Sequence, residues 1–177
     1  MGFINARRIR LLSLLLAALA LTACGFHLRQ NANLPAAMQR VHLDAHGGSN
    51  FQRQLTLALE RAGVAVEDAP GPGIAELAVP TAAFNTDTLT SGGYARISEF
   101  AIHYTVRFGV TDATGQILVP QQTINMSREF SYDAGNTVGS ASQVEQIQKS
   151  LDDDMVQAIM FRLQAAGHAP AAASSVH

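Results

Sequence analysis

From Phe100 to Val110 every second residue is apolar: Phe100, Ile102, Tyr104, Val106, Phe108 and Val110 alternate with Ala101, His103, Thr105, Arg107 and Gly109. A period of two sends successive side chains to opposite faces of an extended chain. Residues 97–111 therefore read as a strand with one buried and one wet face. Asp112-Ala113-Thr114-Gly115 supplies a tight hairpin loop. The alternation then resumes from about Gln116 to Tyr132, with Ile124, Met126, Phe130 and Tyr132 on one face. Thr123, Asn125, Ser127, Glu129 and Ser131 take the other. The result is a long two-faced ribbon.

A cover for its apolar face follows in the chain. Val144, Ile147, Leu151, Met155, Ile159 and Leu163 recur at spacings of three and four, predicting a helix from about Ser140 to Ala166 with one apolar stripe. At 1.5 Å per residue, such a helix spans about 40 Å, enough to lie along the hairpin. Asp152-Asp153-Asp154 spreads around it and reads as its wet face. Beyond Gly167 the alanine, proline and serine of residues 167–177 predict a disordered tail.

Upstream the signals are shorter. Arg40-Val41-His42-Leu43-Asp44 alternates and reads as a strand, and Gly47-Gly48-Ser49-Asn50 makes a turn that offers a helix N-cap. Phe51, Leu55, Leu59 and Ala62 follow helical spacing, and Gly63 closes that helix. After the breaker Ala69–Gly73, a strand runs from about Ile74 to Phe84, with Pro80 predicting an edge or a bulge within it. The order is strand, helix, strand, strand, strand, helix. The simplest closed arrangement is an α+β two-layer sandwich: a four-stranded mixed sheet with both helices on one face.

The N-terminal region is of a different kind. Arg7, Arg8 and Arg10 precede an apolar run from Leu11 to Leu21, too short for the roughly 20 residues a spanning helix needs. A basic start, a short apolar core and small residues mark a removable secretory signal. Leu21-Thr22-Ala23-Cys24 resembles a bacterial lipobox, which implies cleavage before Cys24 and acylation of that residue. Residues 1–23 are then the signal peptide, 24–166 the folded domain, and 25–37 an extended linker leading into it. Cys24 is the only cysteine, so no disulfide can staple the domain and stability must come from a packed core. Each buried acyl methylene adds about 0.8 kcal/mol to membrane attachment. Gly25 follows the cysteine where related lipoproteins retained at the inner membrane commonly carry aspartate, so this resemblance points to the outer membrane.

Nine basic and fourteen acidic residues remain from Cys24 onward, a net charge of −5 with histidines neutral. A nucleic-acid binder shows a basic face or stripe, and none is visible. The sequence also lacks a G-x-S-x-G elbow, an H-E-x-x-H pair, a phosphate-binding loop and a free catalytic thiol. It is not the sequence of an enzyme, and no cofactor is indicated. His42, Asp44 and His46 form a possible metal trio, but strand alternation puts all three on the polar face with no fourth ligand nearby. They read as solvated side chains.

Cys24-Gly25-Phe26-His27-Leu28-Arg29 resembles the start of mature members of the LPS-assembly lipoprotein family LptE. The similarity continues through Leu34-Pro35, the first strand, Glu99-Phe100, the long hairpin and Phe130-Ser131-Tyr132-Asp133. The resemblance implies an outer-membrane lipoprotein that plugs the lumen of the LPS-translocating β-barrel LptD, supports that barrel's assembly and takes part in inserting lipopolysaccharide into the outer leaflet. A lipoprotein scaffold for another envelope machine is the alternative. A binder of lipopolysaccharide needs cations beside exposed apolar side chains. Arg96 beside the Gly92-Gly93 turn, Arg128 on the return strand and Tyr94 are the candidate contacts. Their ordinary reading is a solvated turn arginine and a strand arginine paired with Glu99 or Glu129.

Overall fold

The computed structural model describes residues 34–90, 97–133 and 135–168. A 3-10 turn at Ala36–Met38 leads into β1 (Arg40–Ala45), which is followed by α1 (Ser49–Arg61) and a short β2 (Ala65–Glu67). Three long strands come next: β3 (Ala75–Thr90), β4 (Ile97–Thr111) and β5 (Ile117–Asp133). A single long helix, α2 (Thr137–His168), closes the order. Cys24, Tyr94, Arg96 and the tail from residue 169 lie outside the described residues.

The sheet has five strands in the order β2-β1-β3-β4-β5, one more than the four expected. β1 runs parallel to both β2 and β3, and the two later junctions are antiparallel. The extra strand is Ala65-Val66-Glu67, three residues too short to display any alternation; pairing with Arg40–His42 creates it, not local preference. The mixed sheet and the two-layer α+β class stand. β3 continues to Thr90, six residues past Phe84, because β4 pairs with it along that whole length.

Pro80 does mark a bulge. Ala78 faces Gly109 and Thr81 faces Arg107, so Val79 and Pro80 together stand opposite Phe108. One step away, Phe108 faces Gln122 and Val110 faces Val119, leaving Pro120 and Gln121 opposite Gly109. A proline cannot donate to a ladder, and a two-for-one bulge removes that requirement. A Cβ on Gly109 would lie 3.3 Å from the Gln121 Cα, so the strands approach more closely there than a side chain comfortably allows.

Both helices cover one face of the sheet. Phe51, Leu55 and Leu59 of α1 and Leu151, Met155, Ile159 and Leu163 of α2 share one core with Val41, Leu77, Ile102, Tyr104, Val106 and Phe108. All are essentially inaccessible to water. Burying a side chain of this size stabilises the fold by about 1.5–3 kcal/mol. Phe84 stacks on Tyr104 with ring centres 3.9 Å apart, and Phe51 meets the same ring edge-on at 6.2 Å.

The helix termini differ from expectation. α1 begins after Gly48 with no side-chain cap. Asn50 looks elsewhere: its Nδ2 donates to Asp152 Oδ2 at 2.8 Å, and its Oδ1 accepts from Arg53 at 2.8 Å. α2 starts three residues before Ser140. There Asn136 Oδ1 accepts from the Gly139 N–H at 3.1 Å, and Ser140 Oγ accepts from the Asp133 N–H at 3.2 Å. The first contact satisfies a donor that the first turn of a helix leaves open, and the second ties that turn to the end of β5. The helix also runs two residues past Ala166, to His168.

Candidate partner interface

The face of β3, β4 and β5 turned away from the helices carries four polar rows. Across the three strands they are Thr81–Arg107–Thr123, Ala83–Thr105–Asn125, Asn85–His103–Ser127 and Asp87–Ala101–Glu129. The expected wet face is thus a continuous surface, extended on one side by β3. Ala101 is its one buried member, flanked by Asp87 and Glu129.

Its side chains hold one another in place. Thr105 Oγ1 donates to Asn125 Oδ1 at 2.9 Å, and Asn85 Nδ2 donates to Asp87 Oδ1 at 2.9 Å. The other Asp87 oxygen lies 3.2 Å from His103 Nε2. Hydroxyls and amides make up half of this surface, and Arg107 lies on its central strand in the row nearest the bulges. Such groups can exchange water for a partner's polar atoms without stranding a charge.

The hairpin turn at the lower end is locked by one carboxylate. Asp112 Oδ1 accepts from the Thr114 N–H at 2.8 Å, the Thr114 hydroxyl at 2.7 Å and the Gln116 N–H at 2.9 Å. The Thr114 hydroxyl and then the Gln116 amide hold its carboxyl below the usual aspartate range. Gly115 adopts φ +85°, a conformation glycine enters without strain.

At the opposite end the three long strands come together again. Thr90 pairs with Glu99, and Ile97 with Asp133, so the end of β3, the start of β4 and the exit of β5 are neighbours. Phe100 stacks on Phe130 at 5.6 Å and meets Tyr132 edge-on at 6.0 Å. Leu89 is 47% and Val138 78% exposed, which gives this end uncovered apolar area.

Arg128 lies on the helix side of the ribbon, in register with Ile102 and Thr86. Its Nη2 sits 2.7 Å from Asp154 Oδ2 on α2. Its partner is therefore neither Glu99 nor Glu129: those residues point to the other face, as the parity of β5 requires. Arg162 makes a second link between α2 and β5, donating from Nη1 to Gln122 Oε1 at 2.9 Å and to the Thr123 carbonyl at 3.5 Å.

The three consecutive aspartates do not share one environment. Asp153 is exposed and Asp154 half-buried, but Asp152 is 6% accessible, with an Oδ1 that has no hydrogen-bond partner. Burial first, then the charge of Asp152 and a hydrogen bond to it, push the Tyr104 phenol far above the ordinary tyrosine range. Sequence alone did not reveal this node, because its members are 48 and 102 residues from Asp152. Among the described residues, no group of three His, Cys, Asp or Glu side chains is placed to share a metal ion. No described helix is long and apolar enough to cross a membrane.

Helices on one side and a hydrogen-bonding polar sheet face on the other define a two-layer α+β domain. The chain belongs to the LptE lipopolysaccharide-assembly family, whose sequence profile matches residues 34–163. Its fold is similar to that of lipoprotein B from Nitrosomonas europaea, with TM-score 0.64, 23% identity, and coverage of 80% of this chain and 91% of that one. It is also similar to a minor lipoprotein from Acinetobacter baumannii (TM-score 0.60, 20% identity, coverage 72% and 92%). The rare lipoprotein B of Shewanella oneidensis gives TM-score 0.60 at 17% identity, with coverage of 71% and 94%. No curated protein matches the chain at significance.

Proposed function

We propose that this chain is tethered to the outer membrane through an acylated Cys24 and seats its bare sheet face inside the β-barrel LptD. In that position it supports assembly of the barrel and takes part in placing lipopolysaccharide in the outer leaflet. The observation that carries this reading is the polar face of β3–β5, left uncovered by both helices, which pack against the opposite face. Interiors of large outer-membrane barrels are polar and hydrated, and a wall of that kind matches rows of Thr, Asn, Ser and His. Membership of the lipopolysaccharide-assembly family supports the same reading.

The subunit works by shape and contact, making and breaking no covalent bond. Lipopolysaccharide would meet the domain at the end where Phe100, Phe130 and Tyr132 cluster, near Arg128, with Tyr94 and Arg96 as the further candidates from the sequence. Arg128 enters that role only by sharing its guanidinium between Asp154 and a lipid phosphate. Arginine can do so because its fork carries five donors.

Co-purification from detergent-solubilised outer membranes tests the reading. The expected result is a stable one-to-one complex with a barrel several times larger, weakened by Arg107→Glu combined with Asn125→Asp. Recovery of the lipoprotein alone, with the barrel assembling normally in its absence, would refute it.

A further inference from the structure

The two edges of the sheet are finished differently. α2 lies along β5 and is tied to it through Arg128–Asp154 and through Arg162 on the Thr123 carbonyl. On the other side β1 accompanies β3 only as far as Val79, whose carbonyl accepts from the His46 N–H at 2.9 Å. Gly47 then lies against Ala82. Among the described residues, β3 pairs from Ala83 to Leu89 with β4 alone, and every residue there except Phe84 is exposed. Exposed edges are normally guarded by lysine, proline or a covering element. This stretch contains neither residue, and its one charge, Asp87, is engaged within its own sheet by Asn85 and His103.

We infer that Ala83–Leu89 receives an added strand from the barrel partner, an inference that rests on the barrel reading above. Alternating free N–H and C=O groups along an edge are matched in register only by another extended polypeptide. The chain's own ends do not serve. Ten residues separate Cys24 from Leu34 and reach at most about 35 Å. Passing the six residues of β1 takes about 20 Å of that reach, which leaves at most about four residues for the seven of Ala83–Leu89. At the other end, α2 runs from the exit of β5 back past Arg128 and Gln122, held to the strand at the far edge of the sheet from β3. The staves of a closed barrel are paired on both sides. The added strand is therefore a loop or terminal segment folded into the lumen. It borders the polar face directly, because Ala83, Asn85 and Asp87 belong to both surfaces.

Site-directed photo-crosslinking in cells that make the full-length lipoprotein and its barrel tests this. p-Benzoylphenylalanine is introduced singly at Ala83, Asn85, Asp87 and, as a report on the wall, Arg107. The expected result is capture of the barrel chain from all four positions. The sites reached from 83, 85 and 87 should step by about two residues along one continuous segment. Thr88→Lys should reduce capture from position 85 at least fivefold and leave capture from 107 unchanged. Capture from 107 with none from the edge, with scattered sites, or with a second copy of the chain on the edge, overturns the added strand and spares the barrel reading. No barrel capture from any position overturns both.

Discussion

Gly47 sits where β1 ends and α1 begins, pressed against the point at which β3 leaves its neighbour. A Cβ there would lie 2.8 Å from the Ala82 Cβ, 3.4 Å from Phe51 Cδ1 and 3.6 Å from the Ala82 carbonyl oxygen. Carbon atoms in contact prefer about 3.5–4.0 Å, so Gly47→Ala requires a shift approaching 1 Å. Neither partner can swing aside: the Ala82 Cβ is fixed to a strand paired with Val106, and Phe51 is fully buried. Overpacking of this kind costs about 1–3 kcal/mol. For a domain of this size that corresponds to a fall in Tm of roughly 3–10 °C. Ala82→Gly removes the obstructing methyl at a cost of its own of about 0.5–1 kcal/mol. The double variant should therefore be more stable than the sum of the two losses, with a coupling of about 1–2 kcal/mol. Guanidinium unfolding of the four proteins in one double-mutant cycle measures it. An unchanged midpoint for Gly47→Ala, or strict additivity in the double variant, refutes the steric account.

Phe108→Ala, at a fully buried site beside the bulges, should lose about 3–5 kcal/mol in the same assay. Asp152→Ala leaves the Asn50 amide without its acceptor and should lose about 1–3 kcal/mol, whereas Asp152→Asn retains an acceptor and should lose less. Because the folded protein holds the Tyr104 phenol protonated, the unfolded chain releases that proton first as pH passes about 10. Stability is full below that pH and falls above it. Tyr104→Phe should flatten the fall, read as Tm against pH from 9 to 11.5. Arg162→Ala, which frees the Gln122 and Thr123 acceptors, should cost about 0.5–1.5 kcal/mol and speed hydrogen exchange along β5.

Periodicity carried most of the fold. The alternation from Phe100 to Val110 and the stripe from Val144 to Leu163 both became core, since each is long enough for its spacing to identify one face. β2 was illegible because three residues hold no period, and its existence depends on a partner strand 25 residues away. The candidate interface was legible as a face, through the Thr, Asn and Ser positions of β5, but not in its breadth. β3 beyond Phe84 shows no alternation, since Asn85-Thr86-Asp87-Thr88 is polar on both faces. Arg128 illustrates a different limit. The parity of β5 puts it with Met126 and Phe130, while its charge suggests water. The conflict is resolved by Asp154, a residue on another element, so neither signal alone predicted the pair.

The two bulges bear on how the ribbon comes apart. Strands pulled from their tip release hydrogen bonds one rung at a time, and each rung costs little. Beside Phe108 and Gly109 the rungs on both flanks of β4 are displaced at one level, and just beyond it β1 joins as a further rail. Unzipping that starts near Leu89 therefore meets a stop about three-quarters of the way along β4. The part beyond the stop keeps its core while the rest of the ribbon opens.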